Sequence, residues 1–363
     1  MPRGSYKEKL AELGFNFSDE YWLENAYYQF TEKEIDTLYE ATKECYQMYI
    51  EAVQNVIDNN RWSELHIPQY MVDTLIDSWD SDELSLYGRF DFAFVDGMPK
   101  LLEFNADTPT SLFEAAIVQW NWKEEKFPAH DQFNSIHESL ISSFESIHQK
   151  YEADKYHFAC LTDNVEDYTT TAYILSTASD AGLSTSIMDM SAISARKGRF
   201  FNTGGEHLDV LFKLYPYEWM FNEEFGKDIP KCETTFIEPL WKAIMSNKQM
   251  LVILAELFPN SSLILDTRNK PLIDGCYCKK PVFSREGANV SIYKDGMLEC
   301  ETDGDYGEEG YVYQSLVEIK PFDGKYPVIG SWVIGGESCG IGIRETDSKI
   351  TNNMANFVPH IIA

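Results

Sequence analysis

Tyr87-Gly88-Arg89-Phe90-Asp91-Phe92-Ala93-Phe94-Val95-Asp96-Gly97-Met98-Pro99-Lys100-Leu101-Leu102-Glu103-Phe104-Asn105 is the stretch whose reading decides the fold. Apolar residues recur with period two on both sides of Asp96-Gly97, a tight-turn dipeptide, so the spacing predicts a β-hairpin. Pro99 predicts a loop longer than two residues. With Phe94 paired to Lys100 across such a loop, Asp91 falls opposite Glu103, and Arg89 opposite Asn105. Arg89, Asp91 and Ala93 then share one face of the first strand, and Phe90, Phe92 and Phe94 share the other. The polar groups converge.

Two carboxylates directly opposite each other destabilise a sheet, so Asp91 and Glu103 require Arg89, a cation or water between them. The oxygen set Asp91, Glu103 and Asn105 suits Mg²⁺ held against nucleotide phosphates, because that ion takes few protein ligands. The same residues also fit the solvated face of an ordinary hairpin or, with one raised pKa, a glycosidase acid pair. Spacing alone does not choose. Next, Ala106-Asp107-Thr108-Pro109-Thr110-Ser111-Leu112 runs into a helix predicted over 110–122. Pro109 or Thr110 would lie near its first turn, where hydroxyls serve either an anionic substrate group or a plain cap.

Upstream, Thr31-Glu32-Lys33-Glu34 has the form of a capping box and opens a long helix to about Asp58, whose aromatic stripe reads as core. Downstream, helices are predicted over 131–151, 166–182 and 240–257, and strands over 156–162, 184–188 and 210–215. This alternation is that of an α/β unit. Gly-rich strands dominate from Tyr277 onward. The whole, 1–363, is expected to form one compact body with soft subdomain boundaries near 150 and 235.

Several later stretches are candidates for phosphate binding. Cys278-Lys279-Lys280-Pro281 precedes the small loop Ser284-Arg285-Glu286-Gly287. There, exposed amides near Gly287 could cradle phosphates that Lys280 neutralises. This is neither a Walker A sequence nor GxGxxG after a strand. Tyr311 to Glu318 reads as a β-run that either passes an adenine edge or simply fills the core. Gly335-Gly336-Glu337 and Cys339 to Glu345 are Gly-rich strand segments, where Arg344 would meet a phosphate or a surface acid.

Asp and Glu outnumber Lys and Arg 59 to 30, giving a formal charge of −29. That field opposes nucleic acid and anionic membrane surfaces and suits a cationic partner, although it also serves solubility alone. The seven cysteines contain no CxxC pair, which predicts reduced thiols and a cytoplasmic protein. The start has no apolar signal segment, and no run is long enough to span a membrane. No HxxxH, HExxH or GxSxG motif is present. The oligomeric state is not legible.

Taken in order, Arg89-Phe90-Asp91, Leu102 to Thr110, Lys213-Leu214-Tyr215-Pro216, Ser246-Asn247-Lys248, Lys280-Pro281 with Arg285-Glu286-Gly287, and Gly342-Ile343-Arg344-Glu345 closely resemble the glutathionylspermidine synthase family. The resemblance runs from about Tyr21 to His360 and covers the synthetase domain, with no counterpart to the amidase domain of bifunctional members. It implies an α/β (α+β), ATP-grasp-like synthetase fold, with antiparallel sheets flanked by helices and a central α/β subdomain.

The activity it implies is that of an ATP- and Mg²⁺-dependent ligase that activates a carboxylate, of glutathione or another peptide, as an acyl phosphate. A polyamine or amino acid would then attack. By the same resemblance Asp91, Glu103 and Asn105 bind magnesium, and Arg89 contacts the reacting carboxylate and phosphoryl group. Lys248, Lys280 and the backbone at Gly287 hold ATP phosphates, Gln314, Ser315, Leu316 and Val317 line the adenine pocket, and Arg344 stabilises phosphoryl transfer. Thr110 matches a substrate-contacting serine or threonine, and Glu166 an acidic substrate contact. The competing readings are a nucleotide-binding regulator without turnover and a two-carboxylate hydrolase that needs no ATP.

Overall fold

The computed structural model describes residues 2–17, 21–352 and 354–363. Helix α1, Glu32–Asp58, begins at the predicted capping box: Thr31 Oγ1 accepts from Glu34 N at 3.3 Å, and Glu34 Oε2 accepts from Thr31 N at 2.8 Å. Its face of Leu38, Cys45, Tyr49, Ala52, Val53 and Val56 is buried, and this burial fixes where the helix lies. Thr31→Ala removes one acceptor from the helix start and is expected to cost about 1 kcal/mol, read as a fall of about 2 °C in the melting temperature.

The hairpin forms from β1, Tyr87–Val95, and β2, Met98–Asn105. Its loop is two residues long, contrary to the reading of Pro99: Asp96 and Gly97 both take positive φ, 51° and 79°, and Val95 pairs with Met98. In such a hairpin the pair flanking the turn is hydrogen bonded and the next is not. Pro99 occupies that next pair, opposite Phe94, on the edge strand of its sheet, so its missing N–H breaks no ladder bond. The expected pairs Asp91↔Glu103 and Arg89↔Asn105 do occur. A β-bulge restores them, the register shifting between Asp91 and Phe92 so that Leu102 is the extra residue.

Helical backbone after the hairpin starts at Leu112, later than predicted, because Ser111 turns with φ 65° and leaves Thr110 outside the helix. A π-turn, Glu114–Val118, precedes α2, Gln119–Lys126. Helix α3 is Ile136–Tyr151, and 131–135 runs beside the sheet, with Ser135 N bonded to Cys339 O. Then come β3, Tyr156–Cys160, α4, Val165–Asp180, β4, Thr185–Asp189, β5, Val210–Leu214, the short α5, Tyr217–Met220, and β6, Thr235–Ile237. The helix predicted over 240–257 is two, α6, Lys242–Met245, and α7, Gln249–Leu257. Ser246-Asn247-Lys248 interrupts it; Asn247 Oδ1 accepts from Gln249 N, and its Nδ2 donates to Leu65 O.

Later strands of the larger sheets are β7, Thr267–Arg268, β8, Tyr277–Pro281, β9, Ser291–Lys294, β10, Met297–Glu301, β11, Tyr311–Ser315, β12, Tyr326–Ile334, β13, Glu337–Thr346, and β14, Asn356–Val358. The run read as strand to Glu318 ends at Ser315, and Leu316 and Val317 follow as loop. Three larger sheets result: antiparallel β14-β13-β12-β1-β2, parallel β4-β3-β5-β6, and antiparallel β7-β11-β8-β9-β10.

The aromatic face of the hairpin packs on α1. Phe90 and Phe104 stack at 4.0 Å, and the Tyr49 ring stands 5.0 Å from Phe104. A Cβ at Gly88 would lie 2.7 Å from the Phe104 ring, so glycine is required there. With that face committed to the core, the Arg89/Asp91 face is turned the other way.

Candidate active site

Arg89 and Asp91 lie mid-sheet and are buried. Arg89 Nε and Nη2 donate to Asp91 Oδ1 and Oδ2 at 2.6 and 3.1 Å, and Nη1 donates to Thr110 O at 2.7 Å. Gly330, opposite Asp91 on β12, makes room: a Cβ there would meet Arg89 Cδ at 2.7 Å. Arg344 reaches across from β13, Nη2 to Asp91 Oδ2 at 2.8 Å. Burial disfavours the Arg89 charge, but Asp91 outweighs it and raises the guanidinium pKa.

On β2, Glu103 faces Lys248 at 3.2 Å, and Lys248 Nζ also donates to Ser284 O at 2.8 Å. Burial pushes the Glu103 carboxyl up, but Lys248 and then Lys280 outweigh it and bring it down to about 2. Lys280 Nζ donates to Leu102 O, the carbonyl of the bulged residue, at 2.9 Å and to Gln314 Oε1 at 2.7 Å. Gln314 Nε2 donates to Leu101 O at 3.0 Å. The bulge thus lets β8 and β11 dock on the edge of the hairpin.

These groups line one cavity of about 300 Å³. Arg89, Asp91, Glu103, Asn105 and Thr110 form one wall with Thr108 and Pro109. Lys248, Lys280, Gly287, Gln314, Ser315, Leu316, Val317 and Arg344 line it from the later strands. Gly287 has φ 67°, and a Cβ there would meet Thr351 O at 2.2 Å, so only glycine lets this loop close on the 350–351 segment.

Glu166 is the one predicted site residue outside the lining; Asp167, the next residue on α4, lines the cavity instead, with Asn164 and Leu161. Asn164 caps α4, accepting from Glu166 N and Asp167 N. Glu166 lies near Glu114, whose carboxyl is pushed up to about 8 by burial and then by Glu166.

Arg285, part of the Arg285-Glu286-Gly287 motif, has a role that its sequence context does not announce. It donates to Thr108 Oγ1 and Glu218 Oε1, both at 2.6 Å, and tethers the Gly287 loop to the wall that carries Thr108 and Thr110. Tyr215 and Trp219 also line the cavity. Tyr215 belongs to the Lys213-Leu214-Tyr215-Pro216 motif, whereas no motif marks Trp219.

Among the described residues, no group of three or more His, Cys, Asp and Glu side chains is assembled that could hold a metal ion alone. The hairpin set still fits Mg²⁺ shared with phosphates. Two carboxylates stand side by side across the bulge, and Asn105 would offer its Oδ1; its Nδ2, buried with no partner among the described residues, is a donor suited to a phosphate or carboxylate oxygen beside the ion.

The family described as glutathionylspermidine synthase preATP-grasp matches residues 1–363. The chain belongs to the glutathionylspermidine synthase family. Its fold is accordingly the ATP-grasp-like α/β synthetase fold expected, with antiparallel sheets flanked by helices around a parallel α/β unit.

Among relatives in this glutathionylspermidine synthase family, a provisionally named acid–amine ligase of Haemophilus influenzae is 37% identical over 97% of this chain and 95% of its own length. Trypanothione synthetase of Crithidia fasciculata is 27% identical over 84% of this chain and 51% of its own. The bifunctional glutathionylspermidine synthetase/amidase of Escherichia coli is 26% identical over 93% and 59%. The chain therefore spans between half and three-fifths of the latter two. No described helix is long and apolar enough to cross a membrane.

Proposed function

We propose that this chain is an ATP-dependent ligase that joins a carboxylate to an amine. The observation that carries the reading is a single cavity in which Arg89 and Arg344 meet Asp91 on one side and Lys248 and Lys280 meet Glu103 and Gln314 on the other. Four cations around two carboxylates and an amide suit a nucleotide triphosphate facing a carboxylate, whereas a two-carboxylate hydrolase has no use for the lysines. The names of the relatives, an acid–amine ligase, a trypanothione synthetase and a glutathionylspermidine synthetase/amidase, agree with it.

Arg89, with Nε and Nη2 on Asp91 and Nη1 on Thr110 O, keeps one further N–H on each Nη, a pair suited to orient the substrate carboxylate end-on. Lys248 and Lys280 offset phosphate charge, and the Gly287 loop excludes water. Asp91, Glu103 and Asn105 would hold magnesium, which supplies charge neutralisation for the transferred phosphoryl group. Arg344, within reach of Asp91, stabilises charge as the carboxylate oxygen takes the phosphoryl group and ADP departs. The amine then attacks the acyl phosphate and orthophosphate leaves. For the substrates, we infer a small peptide carboxylate such as that of glutathione, and a primary amine on a polyamine or amino acid.

Purified protein with ATP and Mg²⁺ is expected to release ADP only when a carboxylate and an amine are both present, with glutathione and spermidine as the first pair and mass spectrometry identifying the adduct. ATP binding without turnover across a broad screen of pairs would favour a regulator and sink the ligase reading.

A further inference from the structure

We propose that Asp167 is the base that takes the proton from the attacking ammonium group, an inference that rests on the ligase reading above. The cavity has three walls. The hairpin wall suits the carboxylate and the lysine wall the nucleotide; the third, on the α4 side, carries Leu161, Asn164, Asp167, Tyr215 and Trp219 and has no ligand yet. The remaining substrate is the amine. Asp167 is the acid on that wall, it is half-buried, and no described residue donates a hydrogen bond to its carboxylate.

Its surroundings tune it for proton exchange. Burial and then Glu166 raise the Asp167 carboxyl to about 6; Arg285 opposes them, and Glu286 and Asp163 add to the rise. Cys160 at the end of β3 and Tyr87 at the start of β1 also feel its charge. Glu114, within the field of Glu166, is 1% exposed, and its Oε1 has no partner among the described residues. A carboxylate with a pKa near working pH both accepts a proton from an ammonium ion and returns it to solvent.

The step balances as follows. The alkylammonium gives one proton to the Asp167 carboxylate, and the neutral nitrogen forms a bond to the acyl-phosphate carbon. The C–O bond to the phosphoryl group breaks and orthophosphate leaves with that electron pair. The second nitrogen proton passes to the departing phosphate. Asp167 then releases its proton through the cavity mouth.

Nucleophiles of different basicity test this. Hydroxylamine is mostly neutral at pH 7 and needs no base; a primary alkylamine is protonated and does. With the carboxylate that the wild type accepts, Asp167→Asn is expected to lower kcat for alkylamines by at least about 100-fold. Hydroxamate formation should stay within about threefold of wild type. The acidic limb of the pH profile should go with the alkylamine activity, and Asp167→Glu should restore part of both. An equal loss with both nucleophiles, no loss with either, or a rise confined to the amine KM would overturn the assignment. A wild type that forms neither hydroxamate nor amide with any carboxylate would instead remove the ligase reading beneath it.

Discussion

Arg89→Lys is expected to lower kcat/KM for the ligase reaction by about 10²–10³-fold, measured as ADP release at saturating ATP. The charge survives this change, so the effect isolates geometry. Arg89 commits Nε and Nη2 to Asp91 and Nη1 to Thr110 O, and so spans the hairpin and the loop after it with one rigid fork. A lysine ammonium reaches one of those partners at a time and cannot hold a carboxylate bidentately. It also leaves the Asp91 pair to Arg344 alone, which draws Arg344 toward the carboxylate. Circular dichroism should be unchanged and the melting temperature should fall by a few degrees, the cost of the buried hydrogen bonds that a lysine does not remake. Activity within about threefold of wild type would remove Arg89 from the reaction.

The second large effect is structural. Lys213 at 0% and Asp107 at 3% exposure form a buried ion pair, with Lys213 Nζ 3.4 Å from the centre of the Tyr217 ring and Asp107 Oδ2 accepting from Tyr217 N at 2.9 Å. Burial pulls the Lys213 ammonium pKa down while Asp107 supports it. Lys213→Met keeps the volume but strands the Asp107 charge, at an expected cost of about 3–5 kcal/mol in urea unfolding. Adding Asp107→Asn should recover much of the loss, because both charges are then gone. A single-variant cost below about 1 kcal/mol would mean that the Asp107 charge is solvated by water. Since Asp107 precedes Thr108 and Thr110, the single variant should also raise the carboxylate KM.

Much of the hairpin is legible because period two and Asp96-Gly97 are local signals. Its register was less so. The pairs Asp91↔Glu103 and Arg89↔Asn105 were anticipated from a longer loop at Pro99, yet they arise from a two-residue turn and a bulge at Leu102. A proline and a bulge each shift register by means that pattern does not separate. The bulge depends on partners far away in the chain, Lys280 and Gln314, which take the carbonyls it exposes.

Glu166 and Asp167 mark the same limit within the site. A helical first turn announces that both are there, but which one faces the cavity depends on the rotation of α4 about its own axis, set by packing on the parallel sheet. Arg285 is similar: its motif is visible, whereas its partners Thr108 and Glu218 lie far from it in sequence and meet it only when the later sheet folds onto the hairpin.

The sequence by itself determined the long helix from its capping box, the hairpin with its polar and aromatic faces, the α/β alternation in the middle and the residues that resemble a family. All rest on contacts within a few positions along the chain or on ordered short motifs. Only the tertiary structure decided the break at Ser246-Asn247-Lys248, the register beyond the bulge, the side of α4 that looks inward and the gathering of Arg344 with Asp91. Each of these is a choice among locally equivalent arrangements, and burial and pairing between distant segments make it.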